Sequence, residues 1–299
     1  MSNVNELNSK FGVPGVVTID EGKGGLTRVR VTAPAAEAEI YLHGAHVTHY
    51  KPQGQKPVLF MSAESLFDPA KAIRGGVPVI FPWFGPNAND PKAPQHGFAR
   101  TTVWPIRSVS TSDHGVVITL GLASSDATRK VWPHEFEATF TVSVGKALEM
   151  SMDVVNKSTR EIFFEEALHT YLAVGDIRRT TIDGLAGRTF IDKVDNKARK
   201  TQPPGAFTLS GETDRVYLNT PDTVTVDDAA NSRRLVVSKT GSASTVVWNP
   251  WTDKAKAMSD FGDDEWPHML CIETANAGDN VQTLAPGGKH VMTSTVAVG

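Results

Sequence analysis

Between residues 136 and 154 the chain alternates strictly. Phe136, Ala138, Phe140, Val142 and Val144 are apolar, and Glu137, Thr139, Thr141 and Ser143 lie between them. Successive residues of a β-strand point to opposite faces, so this pattern gives one buried face and one wet face. Gly145-Lys146 turns the chain. Leu148, Met150, Met152 and Val154 then alternate with Glu149, Ser151 and Asp153. The segment predicts a β-hairpin of two long strands.

The same signal recurs in LTRVRVTA, AEIYL, GVVITLGL, TVTVDD, RLVVSK, STVVW, HMLCIE and HVMTSTVAV, separated by Gly, Pro, Asn and Asp. These are turn-forming residues. No helical period is sustained over several turns; short helices are expected only over Ser62–Ala72 and Lys254–Ser259. A βαβ architecture needs helices between strands, so the reading is all-β, a sandwich or barrel of large antiparallel sheets. The 299 residues, 40% hydrophobic and 21% charged, can bury a substantial core. One domain over 1–299 is the expected organisation.

A net charge of −3 lacks the basic footprint of a nucleic-acid binder, although a few placed arginines can still recruit a small anion. Cys271 is the only cysteine, which rules out an internal disulfide and a cysteine zinc cluster. The start, MSNVNELNSKFGVPG, has no apolar signal region, and no apolar run is long enough to span a bilayer. The expectation is a cytoplasmic monomer with neither nucleic-acid nor membrane partners.

Four segments interrupt the alternation. IRGGVPVIFPWFG puts Arg74 before two glycines, which allow close backbone approach to a ligand; a surface arginine before an irregular strand is the plainer reading. PQHGFAR groups Gln95, His96 and Arg100. Arginine suits phosphate because its planar fork donates two hydrogen bonds, and Gln95 could orient a sugar hydroxyl; the alternative is a loop that satisfies its own backbone. In FFEEALHTYL an extended strand would set Phe163, Glu165, Ala167, His169 and Tyr171 on one face. A lone histidine there is more often a satisfied core residue than a catalyst. MLCIETAN ends a buried-looking run with Glu273, which needs a partner or an exit to solvent.

Other patterns carry less. HGAHVTH resembles a metal motif, but on a strand His46 points away from His43 and His49, and no HExxH occurs. There is no GxGxxG, Walker loop or GxSxG elbow. Asp263-Asp264-Glu265 reads as a solvated acidic loop. Neither a metal nor another cofactor is expected.

At the four segments, together with TDRVY and NPWTDKAKAMSDFGDDEWPHMLCIETANA, the sequence resembles the glucose-6-phosphate 1-epimerases (hexose-6-phosphate mutarotases) of the wider aldose 1-epimerase, or galactose mutarotase-like, group. The blocks run in family order from about residue 73 to 277. The resemblance implies a β-supersandwich whose concave face holds a sugar. It implies that His169 and Glu273 are catalytic, and that Arg74, Gln95, Arg100 and Asp214 contact a phosphorylated hexose. His96, Trp248 and Trp251 are candidate pocket walls. Leu172 stands where the family more often has an aromatic, a difference expected to alter pocket shape.

The implied reaction interconverts the α and β anomers of glucose 6-phosphate by opening and reclosing the ring. A base takes the proton of the C1 hydroxyl and an acid gives one to the ring oxygen. Glutamate, with a reference pKa of about 4.3, suits the base, and histidine, at about 6.5, suits the acid. The alternatives are mutarotation of unphosphorylated aldoses, a non-catalytic carbohydrate-binding module, and a glycoside hydrolase, for which Glu273 has no evident partner carboxylate.

Overall fold

A computed structural model describes residues 3–299. Its two largest sheets each have eight strands, and all the strand pairs within them are antiparallel. One sheet contains the alternating hairpin, Phe136–Val144 and Leu148–Asn156, paired from Phe136 opposite Asn156 to Val144 opposite Leu148. The apolar residues of both hairpin strands are buried. Lys289–Val298 extends this sheet on one side and Gly115–Ala123 on the other.

The second sheet carries the site. Its central strand, Met269–Asn276, is buried along its whole length, as a strand covered on both faces must be. Ser244–Asn249 pairs along one edge of it. Glu166–Leu168 and then Tyr171–Ala173 pair along the other. Thr213–Leu218 lies outside Ser244–Asn249. A four-stranded sheet over 17–52 and a two-stranded one complete the strands.

The main hydrophobic cluster takes in residues from Val17 to Val296. Two smaller clusters line the site-bearing sheet, one around Val216 and Val246 and one around Tyr171 and Met269. Behind that sheet, Thr274 Oγ1 donates to Ser294 Oγ at 2.8 Å, and Glu166 Oε1 pairs with His290 Nε2 at 2.9 Å. These polar contacts join the two large sheets where hydroxyls or charges would otherwise be buried alone.

The eight strand runs anticipated from sequence are all strands. The helices differ. Ser62–Ala72 forms no helix. Ser62 Oγ accepts from Glu64 N–H, Asp68 Oδ1 accepts from Ala70 N–H, and Pro69 disfavours helical geometry at Asp68. The later helix begins at Trp251 and ends at Lys256. Val4–Phe11 and Asp126–Val131 are helices with no anticipated counterpart. Each is capped by a side chain, from Asn3 and from Ser125.

Candidate active site

Two cross-strand rows build the floor. Asp214, Trp248, Cys271 and Tyr171 stand opposite one another across four strands. In the next row Val216, Val246 and Glu273 align. The ladder opposite Met269–Asn276 is interrupted at His169 and Thr170, but Leu168 faces Thr274 and Tyr171 faces Cys271. Register is therefore kept across the gap, and His169 falls opposite Glu273. His169 Nε2 is 3.3 Å from Glu273 Oε1.

Loops supply the walls. The segment after Val79–Ile80 brings Phe84, whose N–H donates to Glu165 Oε2 at 2.9 Å. Glu165 Oε1 accepts from Gly278 N–H, also at 2.9 Å, so one carboxylate joins two loops. Phe81 packs against Phe98, Phe136 and Phe164, which anchors the Gln95–Arg100 loop. Gly97 has φ +73°, and a Cβ there would lie 2.0 Å from Phe81 O. Only glycine fits that close approach.

The resulting cavity of about 330 Å³ is lined by Arg74, Gln95, His96, Arg100, His169, Asp214, Trp248 and Glu273, with Phe84, Lys193, Lys254 and Met258. The structure thus brings together every anticipated residue except Trp251. Trp251 instead packs on Trp266, ring centroids 4.3 Å apart, because the chain turns at positive φ there and starts a helix. Leu172 does not shape the cavity either: it is wholly buried in the main core, on the opposite face of its strand from His169 and Tyr171. Of the anticipated face in FFEEALHTYL, Phe163 is 57% exposed, since the strand breaks at Glu165.

Lys193 was not anticipated. It follows the strand Thr189–Asp192, lies 3.3 Å from Asp214 Oδ1 and caps the Phe84 ring at 4.4 Å. In the sequence it sits among Asp192, Asp195 and Lys197, which reads as an ordinary charged turn.

The charges are unevenly matched. Arg74 Nη2 is 3.0 Å from Asp260 Oδ2, and Nη1 donates to Tyr171 Oη at 3.0 Å. Burial opposes its charge, but Tyr171 and Asp260 outweigh burial and hold its pKa up. Arg100 donates to the Gln95 carbonyl at 2.7 Å and has no carboxylate partner among the described residues. Burial first, and then Arg74, lowers its pKa to about 10. A half-hidden guanidinium beside another cation favours an anion from outside.

In the same cavity, burial pushes the Glu273 carboxyl well above the usual carboxylate range, against the pull of Lys193. Burial, reinforced by Arg74 and Arg100, pushes His169 well below the usual imidazole range. The His169 ring stacks on Tyr171 at 4.7 Å with planes 13° apart, and Trp248 meets its edge. His96 Nδ1 accepts from Gly85 N–H at 3.2 Å. Burial also keeps His96 neutral, so its proton is on Nε2.

A sequence profile described as aldose 1-epimerase matches residues 27–296. A relative from Escherichia coli K12 is 37% identical over 269 residues, covering 90% of both chains. One from Cenchrus ciliaris is 38% identical over 260 residues, covering 84% of this chain and 78% of its own. Both are described as candidate glucose-6-phosphate 1-epimerases. The crystal structure of a candidate mutarotase, YeaD, from Salmonella typhimurium superimposes with a TM-score of 0.90 at 33% identity, covering 99% of each chain.

Proposed function

The chain belongs to the aldose 1-epimerase family, and we propose that its substrate is a hexose 6-phosphate, glucose 6-phosphate in the first instance. The observation that carries this reading is Arg100. It is a half-buried guanidinium with a backbone carbonyl for a partner, placed beside Arg74 in the same cavity as His169 and Glu273. A neutral sugar would leave that charge unmatched, whereas a phosphate would accept hydrogen bonds from both arginines. The descriptions of the two relatives support the same substrate.

In the proposed reaction the C1 hydroxyl loses its proton to Glu273 while His169 gives a proton to the ring oxygen. The bond from C1 to the ring oxygen breaks and leaves an open-chain aldehyde. Rotation about C1–C2 presents the other carbonyl face. The ring oxygen then attacks C1 and returns its proton to His169, and Glu273 returns its proton to the new C1 hydroxyl. No electrons leave the sugar.

This assignment has a proton requirement. In the free cavity, burial favours the proton on Glu273 and a neutral His169. For His169 to act as acid, the proton must cross the 3.3 Å to its Nε2. A bound phosphate helps, because it counters the arginine charges that depress His169. Gln95, Asp214 and the Nε2–H of His96 are the groups placed to hold sugar hydroxyls, and Trp248 forms a wall.

A single-domain monomer in the cytoplasm is part of the same proposal. The single domain is supported by the one large hydrophobic cluster spanning the chain. The fully buried free thiol of Cys271 suits a reducing compartment.

Exchange NMR on glucose 6-phosphate tests the reading. The expected result is faster α–β exchange with protein present, and a smaller acceleration for free glucose. Equal acceleration of both sugars would assign the protein to neutral aldoses. Binding without acceleration would make it a carbohydrate-binding protein.

A further inference from the structure

The turn from Leu42 to Val47 does not line the active-site cavity, and the proposed chemistry uses neither of its histidines. Both are nevertheless buried, His43 at 2% exposure and His46 at 0%. His43 Nε2 donates to the Lys71 carbonyl and His46 Nε2 to the Gly75 carbonyl, each at 2.7 Å. A carbonyl only accepts, so both rings carry their proton on Nε2. The two acceptors lie on either side of Arg74 in the chain.

The backbone closes the same contact. Gly76 has φ +60°, and a Cβ there would stand 2.3 Å from Val47 O and 2.9 Å from His46 Nε2. The Arg74 segment therefore lies against the turn with no room for a side chain between them. The other arginine is reached from the same turn. Gly44 N–H donates to Thr102 O at 2.7 Å. Gly44 has φ +72°, and a Cβ there would meet the Arg100 carbonyl at 2.5 Å.

We infer that this turn fixes the separation of the Arg74 and Arg100 guanidiniums, with His43 and His46 as positioning residues for recognition of the substrate's phosphate. The inference rests on the reading that these arginines bind phosphate. Asp260 and Tyr171 hold the Arg74 guanidinium from one side, and the two arginines converge on a tetrahedral anion only if the backbone beneath them is held as well. An uncharged donor suits such a clamp, since a cation there would add to the repulsion. Burial, chiefly, lowers the His46 pKa to about 3, so that ring stays neutral.

The test is steady-state kinetics of His43→Leu and His46→Leu with glucose 6-phosphate and with free glucose. Thermal unfolding is followed alongside, and His43→Gln and His46→Gln restore an amide donor. The expected result is a KM for glucose 6-phosphate raised about five- to tenfold, the size of one net hydrogen bond's contribution. The kcat should stay within about twofold, free glucose should be little affected, and the glutamine variants should recover most of the loss. Equal losses on both sugars, or no change in folded leucine variants, overturn the inference. If the leucine variants fail to fold, Gly44→Ala decides it: an unaltered preference for the phosphorylated sugar in that variant overturns the inference. Arg74→Ala, measured in parallel, separates the two levels. If it abolishes the preference while the histidine variants keep it, positioning alone is wrong. If it leaves the preference intact, the phosphate assignment beneath is wrong as well.

Discussion

His169, in the gap between the strands Glu166–Leu168 and Tyr171–Ala173, faces Glu273 of the neighbouring antiparallel strand, with Nε2 3.3 Å from Oε1. Both side chains are buried, and neither His169 Nδ1 nor Glu273 Oε2 has a hydrogen-bond partner among the described residues. A pair this close and this secluded shares its proton inventory, so its chemistry belongs to the pair rather than to either group.

Replacing Glu273 with Gln keeps the shape of the cavity floor and removes the proton acceptor. Turnover of glucose 6-phosphate should fall by about 10²–10⁴-fold, the usual contribution of a positioned proton-transfer group. Equilibrium binding, followed by titration calorimetry, should change little. Normal exchange rates in this variant would remove Glu273 from the mechanism.

In the proposed mechanism the singly protonated pair does the work. Below the lowered imidazole value both groups hold protons, and above the raised carboxyl value neither does. The kcat/KM profile should therefore be bell-shaped, with its plateau between the lowered imidazole value and the raised carboxyl value. Lys193 pulls the Glu273 value down. Lys193 also adds to the depression of His169, so Lys193→Met should move the alkaline limb to higher pH and the acid limb upward as well, by less.

A second histidine–carboxylate pair gives a prediction about stability. Burial opposes the charge of His290, but its contact with Glu166 prevails and raises its pKa. A raised value in the folded state contributes stability that is complete below the unfolded histidine value. That contribution is lost as pH rises through the folded one. Urea unfolding should show the decline above about pH 6.5, and His290→Gln should flatten it.

Gly97→Ala forces a Cβ onto Phe81 O at a positive φ. The strained backbone alone costs on the order of 1–3 kcal/mol, and urea unfolding should register at least that loss. The same loop carries His96 and Arg100, so KM for the phosphorylated sugar should rise as well.

The sheets were legible because their signal is local. Phe136–Val144 and Leu148–Val154 each alternate, and the two runs pair as the expected hairpin. His169 and Glu273 were legible only through family resemblance, since a histidine or glutamate in an apolar run has an ordinary structural use. Lys193 left no trace, because its place beside Asp214 exists only after the strand edge has formed. Asp260 was likewise hidden in an acid-rich stretch, although it holds Arg74 from 186 positions away. Trp251 misled for the converse reason. Its neighbours match the family, but its ring belongs to Trp266.

His169 and Glu273 are brought together by strand registry, and the backbone of the two cavity arginines packs against a turn remote in sequence. No short stretch of this chain contains a working fragment of the cavity. Contacts between distant segments form slowly, so turnover should be among the last properties regained when the denatured chain is diluted into buffer. Recovery of activity would then time the closing of the whole sheet.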